Sequence, residues 1–296
     1  VIRTLEPDEL AWFMRQALAF VGHTDPRGLA QRLNSRLKDA ATEAEHCFVY
    51  APDAGPPTAG LYLVASGGGY GARHLELRSV WHDNDAPALA HLVAQLLSRE
   101  SAEAATVALH SLGDGRSQEL AALLTPFGFK RDVLRRLRFE LTDVPPLGRP
   151  LVLEAWQPGS EQDFRELYDD SEGERVSDAS WSYLKRRAGR FQPDLWFAAR
   201  EALDQPTVGY AFASSATREI DSVYELTGVG VRRRYRGDSE MLKRVAVTTL
   251  QELSFRSPAG AVDTVVGAGD PKLVAILASV GFVTVEHLPA LVKLPT

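Results

Sequence analysis

The chain has 296 residues, 45% hydrophobic and 24% charged, with a formal net charge of −6 at pH 7. That length accommodates two domains. The absence of any run of about 18 apolar residues argues against a membrane-spanning helix, and the acidic balance argues against general nucleic-acid binding. The opening VIRTLEPDEL lacks the basic and apolar regions of a secretory leader, and the single cysteine, Cys47, cannot close an internal disulfide, so a reducing, cytoplasmic setting is expected.

In chain order, residues 1–5 predict a short strand. The segment DELAWFMRQALAFV then places Leu10, Phe13, Met14, Ala17, Leu18 and Val21 at helical spacing, with Asp8 as N-cap. A second helix is expected over 26–40, where Leu29, Leu33 and Leu37 recur every four residues behind Asp25-Pro26. The period then changes to that of strands, at 46–52, 59–66 and 73–81. Between the last two, SGGGYG (66–71) is similar to a phosphate loop, but without a helix behind it the stretch reads as a hairpin connection. A helix over 86–99, a strand over 105–112, a short helix in SQELAALLTPF, the pair Gly128-Phe129 and a strand within 132–141 complete this half.

The segment TDVPPLGRP (142–150), with three prolines and a glycine, reads as a linker. The same order of elements then restarts. It runs through a strand at 151–156, helices at 161–170 and 177–190, and strands at 195–201, 207–215 and 223–231. A helix opening at Asp238-Ser239, a strand at 262–269, a helix at 271–280, the pair Gly281-Phe282 and a last strand within 289–295 follow. The two Gly-Phe pairs stand about one domain length apart, which together with the repeated order predicts a tandem duplication. The expected organisation is an α/β domain over 1–141, the linker, and a second α/β domain over 151–296.

The densest chemistry lies in SVYELTGVGVRRRYRGDSEMLKRVAVTTL (222–250). A strand feeding a helix through a basic, glycine-containing turn directs main-chain N–H groups and the positive helix end at one point, where an anion can be held. Val231, Tyr235, Arg236 and Gly237 in this frame resemble the signature of the GNAT N-acetyltransferase superfamily. Ser239 and Met241 stand where the family has glycine and glycine or alanine. The resemblance implies two tandem GNAT-like domains, each a mixed, mostly antiparallel sheet flanked by helices. It also implies acetyl-CoA as cosubstrate, its pantetheine arm against the backbone of Val229, Gly230 and Val231 and its pyrophosphate at Arg236, Gly237, Asp238 and Ser239. The corresponding loop of the first half, HDNDAPAL (82–89), is acidic and lacks glycine, so CoA is expected only in the second domain.

Acetyl transfer to an amine requires a base for the nitrogen and a proton for the departing thiolate. Glu225 is a charged residue inside an apolar strand, and several GNAT enzymes carry a carboxylate base at the matching place. Strand alternation puts Glu225, Thr227 and Val229 on one face. The tyrosine that many family members use as acid is replaced by Leu277, with Leu124 its counterpart in the first half. Tyr210, Tyr224 or water remain as proton sources. Among Arg232, Arg233, Arg234 and Arg236, one or two are expected to reach the 3′-phosphate of CoA. Trp181, Tyr183 and Trp196 line an acceptor pocket or belong to the core. No histidine or cysteine spacing suggests a metal. The expected reaction is acetylation of a small primary amine. Acetylation of a protein amine, and a non-catalytic relative binding CoA weakly or another ligand, remain as alternatives.

Overall fold

The computed structural model describes residues 1–38, 44–53, 55–68, 72–99, 105–110, 116–173, 175–176, 178, 181, 184–185, 191–215, 222–267 and 270–294. The strands, in chain order, are β1 (Ile2–Thr4), β2 (Cys47–Tyr50), β3 (Ala59–Gly68), β4 (Ala72–His82), β5 (Ala105–His110), β6 (Lys130–Glu140), β7 (Val152–Ala155), β8 (Trp196–Arg200), β9 (Thr207–Ser215), β10 (Val223–Val231), β11 (Ala261–Val266) and β12 (Val283–Lys293). The helices are α1 (Leu10–Phe20), α2 (Pro26–Lys38), α3 (Ala86–Arg99), α4 (Ser117–Leu124), α5 (Glu161–Glu172), α6 (Ser239–Arg256) and α7 (Pro271–Val280). Residues 69–71 of the expected hairpin connection, and most of the helix expected over 177–190 with Tyr183, lie outside the described residues. Among the described residues no helix is long and apolar enough to cross a membrane.

Contacts group the chain into two compact units. The first comprises Val1–Ser66, Arg73–Val133 and Leu288–Thr296; the second comprises Gly67–Ala72 and Leu134–His287, and so includes the segment 142–150. In the first unit the strand order is β1-β2-β3-β4-β5 followed by the end of β12. The pair β4·β5 is parallel, while β1·β2, β2·β3 and β5·β12 are antiparallel. In the second unit the order is β7-β8-β9-β10-β11-β6, with β10·β11 parallel and the other pairs antiparallel. The two units thus repeat one mixed, mostly antiparallel plan, and each is flanked by helices.

Local sequence explains most boundaries. In the first unit α1 buries Phe13, Met14, Ala17, Leu18 and Phe20 on one stripe. Its start differs from the expected Asp8 cap. Pro7–Glu9 forms a single 3-10 turn, and the Glu9 carboxylate accepts the N–H of Glu6 at 3.0 Å. In the second unit α7 ends at Gly281, whose φ of +118° is closed to other L-residues; the N–H groups of Gly281 and Phe282 both reach the Leu277 carbonyl. That stop delivers Phe282 into the core, 5.3 Å from the Phe139 ring.

The core of the second unit lies on both faces of the central strand β9, all nine residues of which are buried. On one face α6 and α7 pack Leu242, Val245, Leu250, Ile276 and Leu277 against Ala211, Val229 and Val231. On the other, α5 and Trp181 close an aromatic cluster of Phe164, Tyr168, Trp196, Tyr210 and Phe212. Trp196 and Phe212 stack at 3.9 Å. Trp181 and Trp196 are therefore core residues, each 3% exposed.

Strand β11 pairs with β6 from Ala261↔Glu140 to Val266↔Arg135, so a fragment beginning at residue 151 leaves that edge of β11 bare. Residues 134–287 expressed alone are expected to unfold cooperatively as a monomer. Residues 151–296 are expected to aggregate or melt at a lower temperature. Size-exclusion chromatography and thermal denaturation compare the two, and equal behaviour would show β6 to be dispensable for this unit.

Candidate functional site

The sequence VYELTGVGV of β10 departs from simple alternation. Its register with β9 runs Glu225↔Ser214 and Leu226↔Ala213, then resumes at Gly228↔Phe212, so Thr227 is an extra, bulged residue. The Thr227 hydroxyl donates to the Phe212 carbonyl at 3.1 Å. The bulge reverses which side chains point where. Tyr224 and Leu226 before it, and Val229 and Val231 after it, all face α6 and α7. Glu225 lies on the opposite face with Gly228 and Gly230. The expected common face for Glu225, Thr227 and Val229 is corrected accordingly: period two does not survive an inserted residue.

The glycines after the bulge have a packing cause. A Cβ on Gly230 would come within 2.5 Å of Ser171 Oγ and 2.6 Å of Tyr210 Cε1, and one on Gly228 within 3.4 Å of Tyr210 Cε2. The Tyr210 ring thus lies across the backbone of β10.

On its other side β10 runs parallel to β11 only through Val223↔Ala261, Tyr224↔Val262 and Glu225↔Asp263. The Thr264 hydroxyl makes the last tie, donating to the Leu226 carbonyl at 2.9 Å. Beyond that point Gly228–Val231 pair with β9 alone among the described residues. Among the described residues, main-chain groups along this edge have no strand partner, so an extended ligand bearing amides can add to them as a strand would.

The loop that follows is anchored by its arginines. Arg232 donates to the Thr207 carbonyl (2.9 Å) and hydroxyl and lies 3.5 Å from Asp170. Arg236 donates to the carbonyls of Ser171 and Asp170 at the end of α5 and lies against Gly173, whose φ is +86°. A guanidinium at a helix C-terminus answers its unpaired carbonyls and its dipole. Arg233 and Arg234 are exposed, the latter over the Tyr235 ring.

Gly237, Asp238 and Ser239 are exposed at the start of α6. Asp238 is its N-cap: one carboxylate oxygen accepts the N–H groups of Glu240 (3.0 Å) and Met241 (3.1 Å). In the first unit, Asp85 holds the matching place before α3. It accepts from Ala88 N–H at 3.1 Å and from the Thr58 hydroxyl at 2.8 Å. In both units a carboxylate of the chain itself sits on the helix end that an external anion would use.

The proton-transfer candidates are dispersed. Glu225 is exposed, and among the described residues it has no ion-pair partner. Tyr224 is buried on the α6 face, away from Glu225. Tyr210 is 1% exposed, and its hydroxyl donates to Glu172 Oε1 at 3.0 Å. Burial, with the adjacent Glu172 charge second, raises its pKa well above that of an ordinary phenol. Leu277 and Leu124 are both buried and donate nothing. Asp270 caps α7 through the Leu273 N–H at 2.9 Å, and burial raises its pKa.

Two site residues were not anticipated from sequence. Asp263 lies opposite Glu225 on β11, and Arg138 on β6 forms a two-pronged pair with it at 2.7 and 2.9 Å. Both are charged residues inside strands, the signal that marked Glu225.

No family model matches the sequence, and no curated protein matches it. Solved structures do. A GCN5-related N-acetyltransferase from Sphaerobacter thermophilus is similar over 99% of this chain and 95% of its own, at 15% identity and a TM-score of 0.51. One from Anabaena variabilis is similar over 100% of this chain and 73% of its own, at 12% identity and a TM-score of 0.60. One from Kribbella flavida is similar over 99% and 70%, at 12% identity and a TM-score of 0.53. The chain has the fold of the GCN5-related N-acetyltransferases, present as two GNAT-like domains.

Proposed function

We propose that the second unit is an acetyl-CoA-dependent N-acetyltransferase acting on a small primary amine. The observation that carries this reading is the strand edge at Gly228–Val231, left by β11 just beyond the bulge at Thr227. The backbone of Val229, Gly230 and Val231 offers hydrogen bonds to the amides of a pantetheine arm. Arg236 holds the loop to α5, and Gly237, Asp238 and Ser239 form the approach to the pyrophosphate. The arm fits the residues present. The pyrophosphate fits only where the Asp238 carboxylate gives up the Glu240 and Met241 N–H groups.

In the reaction, the amine nitrogen bonds to the thioester carbon, the C–S bond breaks, and the electron pair leaves on sulfur. Glu225 takes the proton shed by nitrogen, and solvent supplies one to the thiolate, since Leu277 has none to give. Glu225→Gln is expected to lower turnover about 100-fold at neutral pH and to recover in part as pH rises and more amine is neutral. A pH–rate comparison checks this, and parallel profiles at equal rates would remove Glu225 from the mechanism.

A second reading is favoured by Asp238. With the helix end already capped by a carboxylate, the chain is a GNAT-fold protein without catalysis that binds CoA weakly or takes another ligand. Calorimetric titration with acetyl-CoA separates the two. Saturable one-site binding supports the enzyme, and no heat at millimolar acetyl-CoA supports the second reading.

A further inference from the structure

We infer that the amine acetylated by the second unit also carries a carboxylate, which Arg138 holds while the nitrogen meets Glu225. This rests on the acetyltransferase reading above and narrows its acceptor to amino acids and related amino carboxylates.

The register places the groups. Glu225 pairs with Asp263 across β10 and β11, and Asp263 pairs with Arg138 across β11 and β6. Paired residues on neighbouring strands point to the same face. One face of the sheet therefore carries carboxylate, carboxylate and guanidinium in a row, two residues from the bulge where the open edge begins. Arg138 Nε and Nη2 grip Asp263, with the two side chains 38% and 20% exposed. That grip cancels the charge of Asp263, which would otherwise repel Glu225 from the next strand.

Two groups on this row are left to meet a ligand. Glu225 has no ion-pair partner among the described residues, and Arg138 Nη1 has no acceptor among them. They stand two strand intervals apart, roughly 9.5 Å at the backbone. Arg136, the next cation on this face, is already paired with Glu286 at 2.7 Å. Val223 and Val265, each part-exposed and two residues from the row on the same face, offer apolar ground for the methylenes of the acceptor. A carboxylate at one end and the remaining guanidinium N–H donors of Nη1 at the other match an ammonium and a carboxylate on one small molecule.

The test compares glycine, β-alanine and lysine with their carboxamides, which keep the amine and remove the charge. For the wild type, kcat/KM is expected to be about tenfold or more higher for the acids. Arg138→Gln should erase that preference by raising KM for the acids more than for the amides. Titration with the acids alone should show binding that the variant loses. The double variant Arg138→Gln/Asp263→Asn, which leaves no uncompensated carboxylate on β11, should behave as Arg138→Gln does.

Amides used as well as acids, or both substrate types losing equally in the double variant, overturns the inference. Acetyl-CoA titration tells its failure from that of the parent reading: a protein that binds acetyl-CoA and acetylates amides as readily as acids loses only the inference, whereas one that binds no acetyl-CoA loses both.

Discussion

Asp238→Asn is expected to tighten acetyl-CoA binding at least tenfold. The Asp238 carboxylate accepts the first free N–H groups of α6 and puts a negative charge where a pyrophosphate would lie. Two unit charges about 4 Å apart repel by about 1 kcal/mol in bulk water and about 4 kcal/mol at an effective dielectric of 20. About 1.4 kcal/mol corresponds to a factor of ten. Asparagine caps a helix as well as aspartate does, so the variant should keep its thermal stability while losing the repulsion. Asp238→Ala should also release the two N–H groups, at about 1 kcal/mol of stability. Titrations at low and high salt supply the control, since the gap between wild type and Asp238→Asn should narrow as salt screens the charge. Unchanged affinity in Asp238→Asn would place the phosphates away from the start of α6.

The largest loss of stability is expected from Gly209→Ala. A Cβ there would lie 2.5 Å from the Gly230 carbonyl oxygen and 2.9 Å from Val245 Cγ2. The first neighbour is backbone of the strand that carries the site, and the second is a buried residue of α6, so neither can yield without parting β9, β10 and α6. About 3 kcal/mol or more is expected, at the upper end of overpacking costs. Gly237→Ala is the contrast. A Cβ at Gly237 meets nothing within 4 Å, and the backbone is outside the left-handed region. Its stability should be unchanged or higher by a few tenths of a kcal/mol. Chemical denaturation of the two variants checks both, and a Gly209→Ala protein as stable as wild type would mean that β9 and β10 are less tightly seated than their register shows.

How far the sequence could be read depends on the range of the interaction concerned. Helical spacing in DELAWFMRQALAFV, the Gly281-Phe282 stop after α7, and the apolar strands of each half depend on neighbours a few residues away, and they were legible. The repeated order of elements was legible for the same reason. The bulge at Thr227 was not. Gly228 and Gly230 following Thr227 signal some irregularity, but the partner register that makes Thr227 the extra residue belongs to β9. Reading β10 as an uninterrupted strand therefore put Val229 on the face of Glu225.

The charged loop shows the same division. By its composition and its position between a strand and a helix, RRRYRGD predicts an anion site. The partners of its side chains are remote in sequence. Arg236 is held by carbonyls of α5, and Arg232 by Thr207. Asp238 acts locally, as a cap two and three residues from its donors, and Arg234 lies over the ring of neighbouring Tyr235.

By itself, the sequence determined the α/β class, the duplicated order of elements and the stretch that holds the candidate site, because periodicity and turn chemistry are written in adjacent residues. The tertiary structure alone decided that β6 borders β11, that β10 and β11 part after Glu225, and that Asp263 and Arg138 stand beside Glu225. Those facts depend on strand register, which is set by main-chain pairing between segments as remote in sequence as Arg135 and Val266 and leaves no mark on either segment read alone.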